Sequence, residues 1–202
     1  MIYLLRHGEI EQGKEKRFVG QVDFPLNENG LSQACLWRQK LKAGLFEKIY
    51  SSDLRRARET ALIIADNHPE KVQLLPELRE ISLGEWEGLF VAEVQVHYPE
   101  EWQRRERDLV TFRPPGGESF RDLAVRIGPV FNQIVRAVEG NILIVGHAGV
   151  NRVILCQVLG MDTANLFRLG QDYGCMNLLE RNKAGWLVVA MNILVDQWAP
   201  KT

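Results

Sequence analysis

Cysteine is scarce in this chain. The 202 residues hold three, Cys35, Cys156 and Cys175, widely separated and set among apolar neighbours. That odd number and spacing argue against a disulfide framework or a thiolate zinc site, and leave the three as core filler. Excess charge is missing as well. Lys and Arg number 25 against 26 Asp and Glu, a formal net charge of -1. Nothing draws the whole chain to nucleic acid or to an anionic membrane, so any anion site must be local. No apolar run approaches the roughly 20 residues of a membrane span, and the first residues lack the charged start and cleavage site of a secretory signal. The expected location is the cytoplasm.

Histidine is sparse too, at four, and two of the four end similar stretches. Ile2-Tyr3-Leu4-Leu5 runs into Arg6-His7-Gly8-Glu9, and Asn141-Ile142-Leu143-Ile144-Val145 runs into Gly146-His147-Ala148-Gly149. Each reads as a buried strand delivering an imidazole, beside small residues, to the carboxyl edge of a sheet, where open α/β sheets bind ligands. His68 and His97 sit in turn-like or polar contexts and are given no role.

The remaining pattern alternates strands with helices. Residues 10–22 form a polar, Gly-punctuated loop with Lys14, Lys16 and Arg17, expected to roof the pocket. Asn27 caps a helix to about Lys42, whose buried stripe is read as Leu31, Ala34, Cys35, Leu41 and Leu45. A strand follows at 48–52, and Asp53 is read as the cap of a helix burying Leu54, Ala57, Ala61, Ile64 and Ala65. Arg55, Arg56 and Arg58 crowd the start of that helix, the end whose dipole favours anions; an anion held there would resolve the conflict. After a strand at 72–75 and a Gly- and acid-rich loop at 78–88 come helical pieces between Val91 and Arg107, interrupted at Pro99. Ser119 caps the strongest stripe, Leu123, Ala124, Ile127, Phe131, Ile134, Val135 and Val138, in which Pro129 is expected to kink or break the helix. The strand into His147 leads to a helix burying Val150, Val153, Ile154 and Val158 and ending near Gly160. Two last strands, 176–181 and 186–191, are joined by so short a turn, 182–185, that they must be antiparallel. The chain is expected to form one domain, 1–202, a three-layer α/β/α sandwich with a mostly parallel sheet of about six strands.

Arg6, His7, one arginine of 55–58, Glu80 and His147 all fall at or just past strand ends. Their convergence would make a pocket for a phosphoryl group: guanidinium groups match phosphate oxygens, a neutral imidazole attacks phosphorus in line, and a carboxylic acid protonates the departing alkoxide. Phe18, Trp102, Arg104, Arg105 and Arg113 are candidates for an aromatic and basic rim around the leaving group, one that suits a nucleotide-like or sugar phosphate.

Leu5-Arg6-His7-Gly8-Glu9, Ser51 to Ala61, Leu78-Arg79-Glu80, Pro115-Gly116-Gly117-Glu118-Ser119 and Val145 to Gly149 together resemble, in order, the motifs of the histidine phosphatase superfamily, the phosphoglycerate mutase-like fold. The resemblance implies that His7 is the phosphorylated nucleophile and Glu80 the proton donor. Arg6, Arg56 and a cationic His147 would hold the phosphate. It also implies one antiparallel strand, a helical cap at about 85–118, no cofactor and no metal. Two positions depart from the pattern: Gly13, with Gln12 beside it, where many relatives carry Asn, and Val19 where mutases carry Ser or Thr. The short segment between Glu80 and Ser119 resembles the phosphatase branch, α-ribazole phosphatases in particular, which implies hydrolysis of a small ester such as α-ribazole 5'-phosphate in cobalamin nucleotide-loop assembly. Arg17, Phe18, Gly20, Trp102 and Arg104 are the expected substrate contacts. A cofactor-dependent phosphoglycerate mutase, using Lys14, Lys16, Arg17, Arg104 and Arg105 for a second anion, and a non-enzymatic phospho-ligand module are the alternatives. The expected partner is a small phosphorylated substrate, with no nucleic acid or membrane, on a monomer or homodimer.

Overall fold

A computed structural model of the chain describes residues 1–13, 15–41, 44–183 and 185–198; Lys14, Lys42 and part of the final turn lie outside them. Six strands, β1 (Ile2–Arg6), β2 (Lys48–Ser51), β3 (Val72–Leu74), β4 (Ile142–Gly146), β5 (Met176–Asn182) and β6 (Gly185–Ile193), form one sheet in the order β3-β2-β4-β1-β5-β6. β1 to β4 pair in parallel, and β5 runs antiparallel to both its neighbours. The sheet is therefore mixed and mostly parallel, with one reversed strand, as expected.

Successive side chains of a strand point to opposite faces. Ile2, Leu4, Ile142 and Ile144 accordingly face a cluster with Leu123, Ile127 and Phe131 of α5 (Phe120–Ala137) and Val150, Val153 and Ile154 of α6 (Ala148–Leu159). Tyr3, Leu5, Leu143 and Val145 face Trp37 of α1 (Glu28–Lys40) and Ala57, Ala61 and Ile64 of α2 (Arg55–Ala65). Strands covered on both faces are apolar at every position, which is why β1 and β4 read as unbroken hydrophobic runs. Burying each Leu or Ile contributes about 1.5–3 kcal/mol. The layering also fixes the site. From β1 the chain leaves toward α1, and from the adjacent β4 toward α6 on the opposite face, so a crevice opens at the carboxyl ends of these two strands.

Three local readings change. In α1 the buried residues are Gly30, Ala34 and Trp37, whereas Leu31 is 43% exposed. Ala34 and Leu41 are buried as expected, but Gly30 and Trp37 take the places read for Leu31 and Cys35, because the Trp37 indole N–H reaches the Gly174 carbonyl, 2.7 Å away, and Gly30 lies against the Glu9 backbone, where a Cβ would come within 2.1 Å. Asn27 caps this helix as expected, its Oδ1 accepting from the Gly30 N–H at 2.8 Å. Asp53 does not cap α2; its carboxylate is held by Arg79 through two bonds of 2.7 and 2.5 Å. The anion at the start of α2 is instead the chain's own Asp23, which accepts from the Arg55 backbone N–H at 2.6 Å. Finally, Pro129 does not break α5. Pro129 and Val125, whose carbonyl loses its partner, lie on the exposed face, where water can take that carbonyl.

The other expected helices are present, including Ser119 with Asp122 as a reciprocal cap of α5 and the interruption at Pro99 between α3 (Val91–His97) and α4 (Pro99–Arg107). Cys156 and Cys175 are buried, Cys35 is half-buried, and all three are free. Among the described residues no helix is long and apolar enough to cross a membrane.

Candidate active site

The two histidines meet because their strands are neighbours in register. Arg6 pairs with Gly146, and the His7 N–H donates to the Gly146 carbonyl at 3.1 Å, so His7 and His147 leave the sheet at the same level. Their ring centroids are 5.0 Å apart, and both residues are buried. The turn after His7 is anchored to α2: the Gly8 N–H donates to Thr60 Oγ1, which donates to the Arg56 carbonyl. A Cβ at Gly8 would lie 2.5 Å from the Gly30 carbonyl oxygen, so this turn admits only glycine without a shift of α1.

Hydrogen bonding settles the His7 tautomer. Nδ1 lies 2.7 Å from the Gly8 carbonyl, which can only accept, so Nδ1 carries the proton. Nε2 accepts from Arg56 Nε at 3.2 Å and therefore presents its lone pair. Arg56 is itself buried, with Nη1 donating to the Val22 carbonyl and Nη2 to the Gly20 carbonyl, so residues 20–22 roof the pocket. Arg55 and Arg58 are exposed. Of the three, only Arg56 is turned into the pocket.

Arg6 donates through Nη1 to the Gln171 carbonyl at 2.6 Å, and its guanidinium lies 3.7 Å from the Tyr173 ring centre. Tyr173 also flanks His7, and its hydroxyl accepts from Gln12 Nε2 at 3.1 Å. Glu80 reaches the site from the loop after β3. Its Oε1 accepts from the Ile81 N–H at 2.9 Å and its Oε2 from the Gly149 N–H, in the first turn of α6, at 3.0 Å. A Cβ at Gly149 would stand 2.4 Å from Glu80 Oε1, so glycine makes room for the carboxylate.

Burial, reinforced by Arg56 and then Arg6, holds the His7 imidazole well below the usual histidine value, against a smaller opposing effect of its bond to Gly8. Burial and then Arg56, with smaller effects of His7, Arg6 and Arg126, do the same to His147. Both shifts favour the neutral ring in the free protein. Among the described residues, both ring nitrogens of His147 and the Arg6 Nε are buried without a hydrogen-bond partner. Each such group costs about 1–3 kcal/mol unless something accepts from or donates to it. Two guanidinium groups and two imidazoles around one space suit a tetrahedral oxyanion.

The rim is built differently. Phe18 packs on Trp86 and Trp102 with ring centroids 5.3 and 6.4 Å apart, and Arg105 stacks over Trp102. Arg17 donates to the Gly88 carbonyl and lies over Phe90, Gly20 contributes its carbonyl to Arg56, and Arg104 is exposed. Arg113 is paired with Asp122. The residues missed in the sequence are Thr60, Gln171 and Tyr173. Thr60, one helical turn after Arg56 on the buried face of α2, carried a signal; Gln171 and Tyr173 lie in an aperiodic stretch that carried none.

The model of the histidine phosphatase superfamily (branch 1) matches residues 2–194 of the chain. A metal-independent phosphoserine phosphatase of Arabidopsis thaliana is 37% identical over 172 residues, 81% of this chain and 70% of that protein. Phosphoserine phosphatase 1 of Hydrogenobacter thermophilus is 31% identical over 195 residues, 95% and 92% of the two chains. Among solved structures, the alpha-ribazole phosphatase of Shigella flexneri is similar with a TM-score of 0.88 at 25% identity, over 95% of this chain and 96% of that one.

Proposed function

Because the chain belongs to the histidine phosphatase superfamily (branch 1), we propose that it hydrolyses a small phosphate monoester in two steps through a phosphohistidine on His7. The observation that carries this reading is the His7 ring, protonated at Nδ1 by its bond to Gly8, so that the lone pair is on Nε2, where Arg56 donates to it. Nε2 attacks phosphorus, the bond to the ester oxygen breaks, and Glu80 delivers a proton to that oxygen. In the second step Glu80 takes a proton from water as the water attacks phosphorus and frees His7. Arg6, Arg56 and His147 hold the phosphoryl oxygens. A dianionic ester reverses the local charge balance, so His147 takes up a proton as the ester binds and becomes a donor. None of these steps requires a metal.

The leaving group is a small alcohol seated against Phe18, Trp102 and Arg105. The structural likeness to the Shigella protein supports α-ribazole 5'-phosphate, in cobalamin nucleotide-loop assembly, and the higher sequence identities support phosphoserine as the second reading. A mutase needs a second anion site. Of the cations available for one, Arg17 is committed to Gly88 and Phe90 and Arg105 to the rings of Phe18 and Trp102.

The test is turnover of p-nitrophenyl phosphate, followed by a screen of α-ribazole 5'-phosphate, phosphoserine and 3-phosphoglycerate. His7→Ala is expected to lose about 10⁴-fold or more, EDTA to change nothing, and acid-labile phosphate to be trapped on the wild-type chain alone. Near-normal turnover by the variant, with its fold verified by circular dichroism, overturns the proposal.

A further inference from the structure

Glu80 sits on a stretch, residues 79–83, that belongs to no helix or strand, yet a proton donor must be held to within a fraction of an ångström. What holds it is a side chain 46 residues away. From α5, Arg126 donates through Nη1 to the carbonyls of Glu77 and Arg79, at 2.5 and 2.9 Å, and through Nη2 to the carbonyl of Glu80 itself at 3.3 Å. Its guanidinium is oriented in turn by Glu118, which accepts from Nε at 2.8 Å and from Nη2 at 2.7 Å. Glu118 completes the clamp on the same stretch: its Oε2 accepts from the Ser82 N–H at 2.9 Å, and its own N–H donates to the Ser82 carbonyl at 2.8 Å. On the other side, Gln21 Nε2 donates to the Glu80 carbonyl at 3.0 Å.

Two features separate this arrangement from an ordinary surface ion pair. Both partners are largely shielded, with side chains 22% and 24% exposed. The guanidinium also donates to the carbonyls of Glu77, Arg79 and Glu80 as well as to the carboxylate, a use of the planar fork that a lysine cannot reproduce. Its position on α5 lies between the buried Leu123 and Ile127.

We infer that Arg126, oriented by Glu118, is a positioning residue that sets the Glu80 carboxyl against the leaving oxygen. The inference rests on Glu80 being the proton donor, and the experiment separates the two. Phenolates leave readily without protonation and alkoxides do not, so the ratio of kcat/KM on an alkyl phosphate (glycerol 2-phosphate) to kcat/KM on p-nitrophenyl phosphate, which reports the first step alone, shows how well the acid is placed. General acid catalysis contributes about 10²–10⁴-fold. Glu80→Gln is expected to lower the ratio by about 100-fold or more, and Arg126→Met and Arg126→Lys each by about 30-fold, because a small misplacement of the acid costs nearly as much as its loss. Glu118→Gln, which keeps size and one acceptor oxygen, is expected to lower it by about threefold to tenfold and serves if the Arg126 variants fail to fold. If Glu80→Gln lowers the ratio while the Arg126 and Glu118 variants leave it at the wild-type value, the positioning role is wrong and the acid assignment stands. If Glu80→Gln itself leaves the ratio unchanged, both are wrong.

Discussion

On the floor of the pocket, His7 and His147 are fixed by the main-chain pairing of adjacent strands, and neither is more than 4% exposed. On the rim, Phe18, Trp102 and Arg105 hold one another by ring contacts, and α4, which carries the last two, buries none of its residues. The floor is a consequence of the sheet, and a change there disturbs chemistry on every ester. The rim is a consequence of side-chain packing over a solvated helix, and a change there disturbs the choice of ester.

The sharpest way to break this division is Gly149→Ala. Its new methyl would stand 2.4 Å from Glu80 Oε1 and displace the carboxylate, with an expected loss of about 100-fold in kcat on alkyl esters. Helix propensity favours alanine by about 1 kcal/mol, so the unfolding midpoint is expected to hold or rise. Wild-type kcat in the variant would show that the floor tolerates movement. A milder effect is expected on the rim. Trp102→Ala removes aromatic contacts worth about 0.5–1.5 kcal/mol each and is expected to raise KM for the preferred ester by about tenfold, with a smaller change in kcat. Equal loss of kcat on all esters would place Trp102 with the floor.

The smallest expected effect is on stability against pH. In the folded chain both imidazoles are held well below the ordinary value of 6.5, whereas the unfolded chain protonates near it. The unfolded state therefore binds more protons below pH 6.5, and the stability present above that value is lost as pH falls through the window toward the folded-state values. Thermal midpoints measured from pH 8 down to pH 5 should decline below about 6.5, and inorganic phosphate should reduce the decline by favouring cationic His147. An equal decline in a His147→Asn variant would assign the loss elsewhere.

Most of the floor was legible because it depends on short-range pattern. An apolar run ending in Arg-His-Gly states where a strand stops, and the second run ending in Gly-His-Ala states that another does the same. That Arg56, and not Arg55 or Arg58, is the inward arginine is carried by the resemblance of Arg56-Ala57 to the family motif; the stripe of α2 leaves the choice among the three open. What escaped depended on contacts across the chain. In the α1 stripe Ala34 and Leu41 are legible, whereas Trp37 is not, because it answers to Gly174. Asp53 looked like a cap but answers to Arg79. The downward shift of His147 comes first from burial and then from Arg56 and Arg6, which arrive from two other elements, so its neighbours in sequence carry no sign of it. Arg126 left only a faint trace, a lone charge at the edge of an apolar stripe.

Adjacent strands in any β-sheet stand about 4.8 Å apart, and the two imidazoles, hung from matched positions on β1 and β4, repeat that interval. The width of the phosphate cradle is thus inherited from peptide geometry common to all proteins. A one-residue slip of either strand would break the match and turn every side chain of that strand to the opposite face. The gap between the histidines accordingly follows the sheet, and the bound group must suit it.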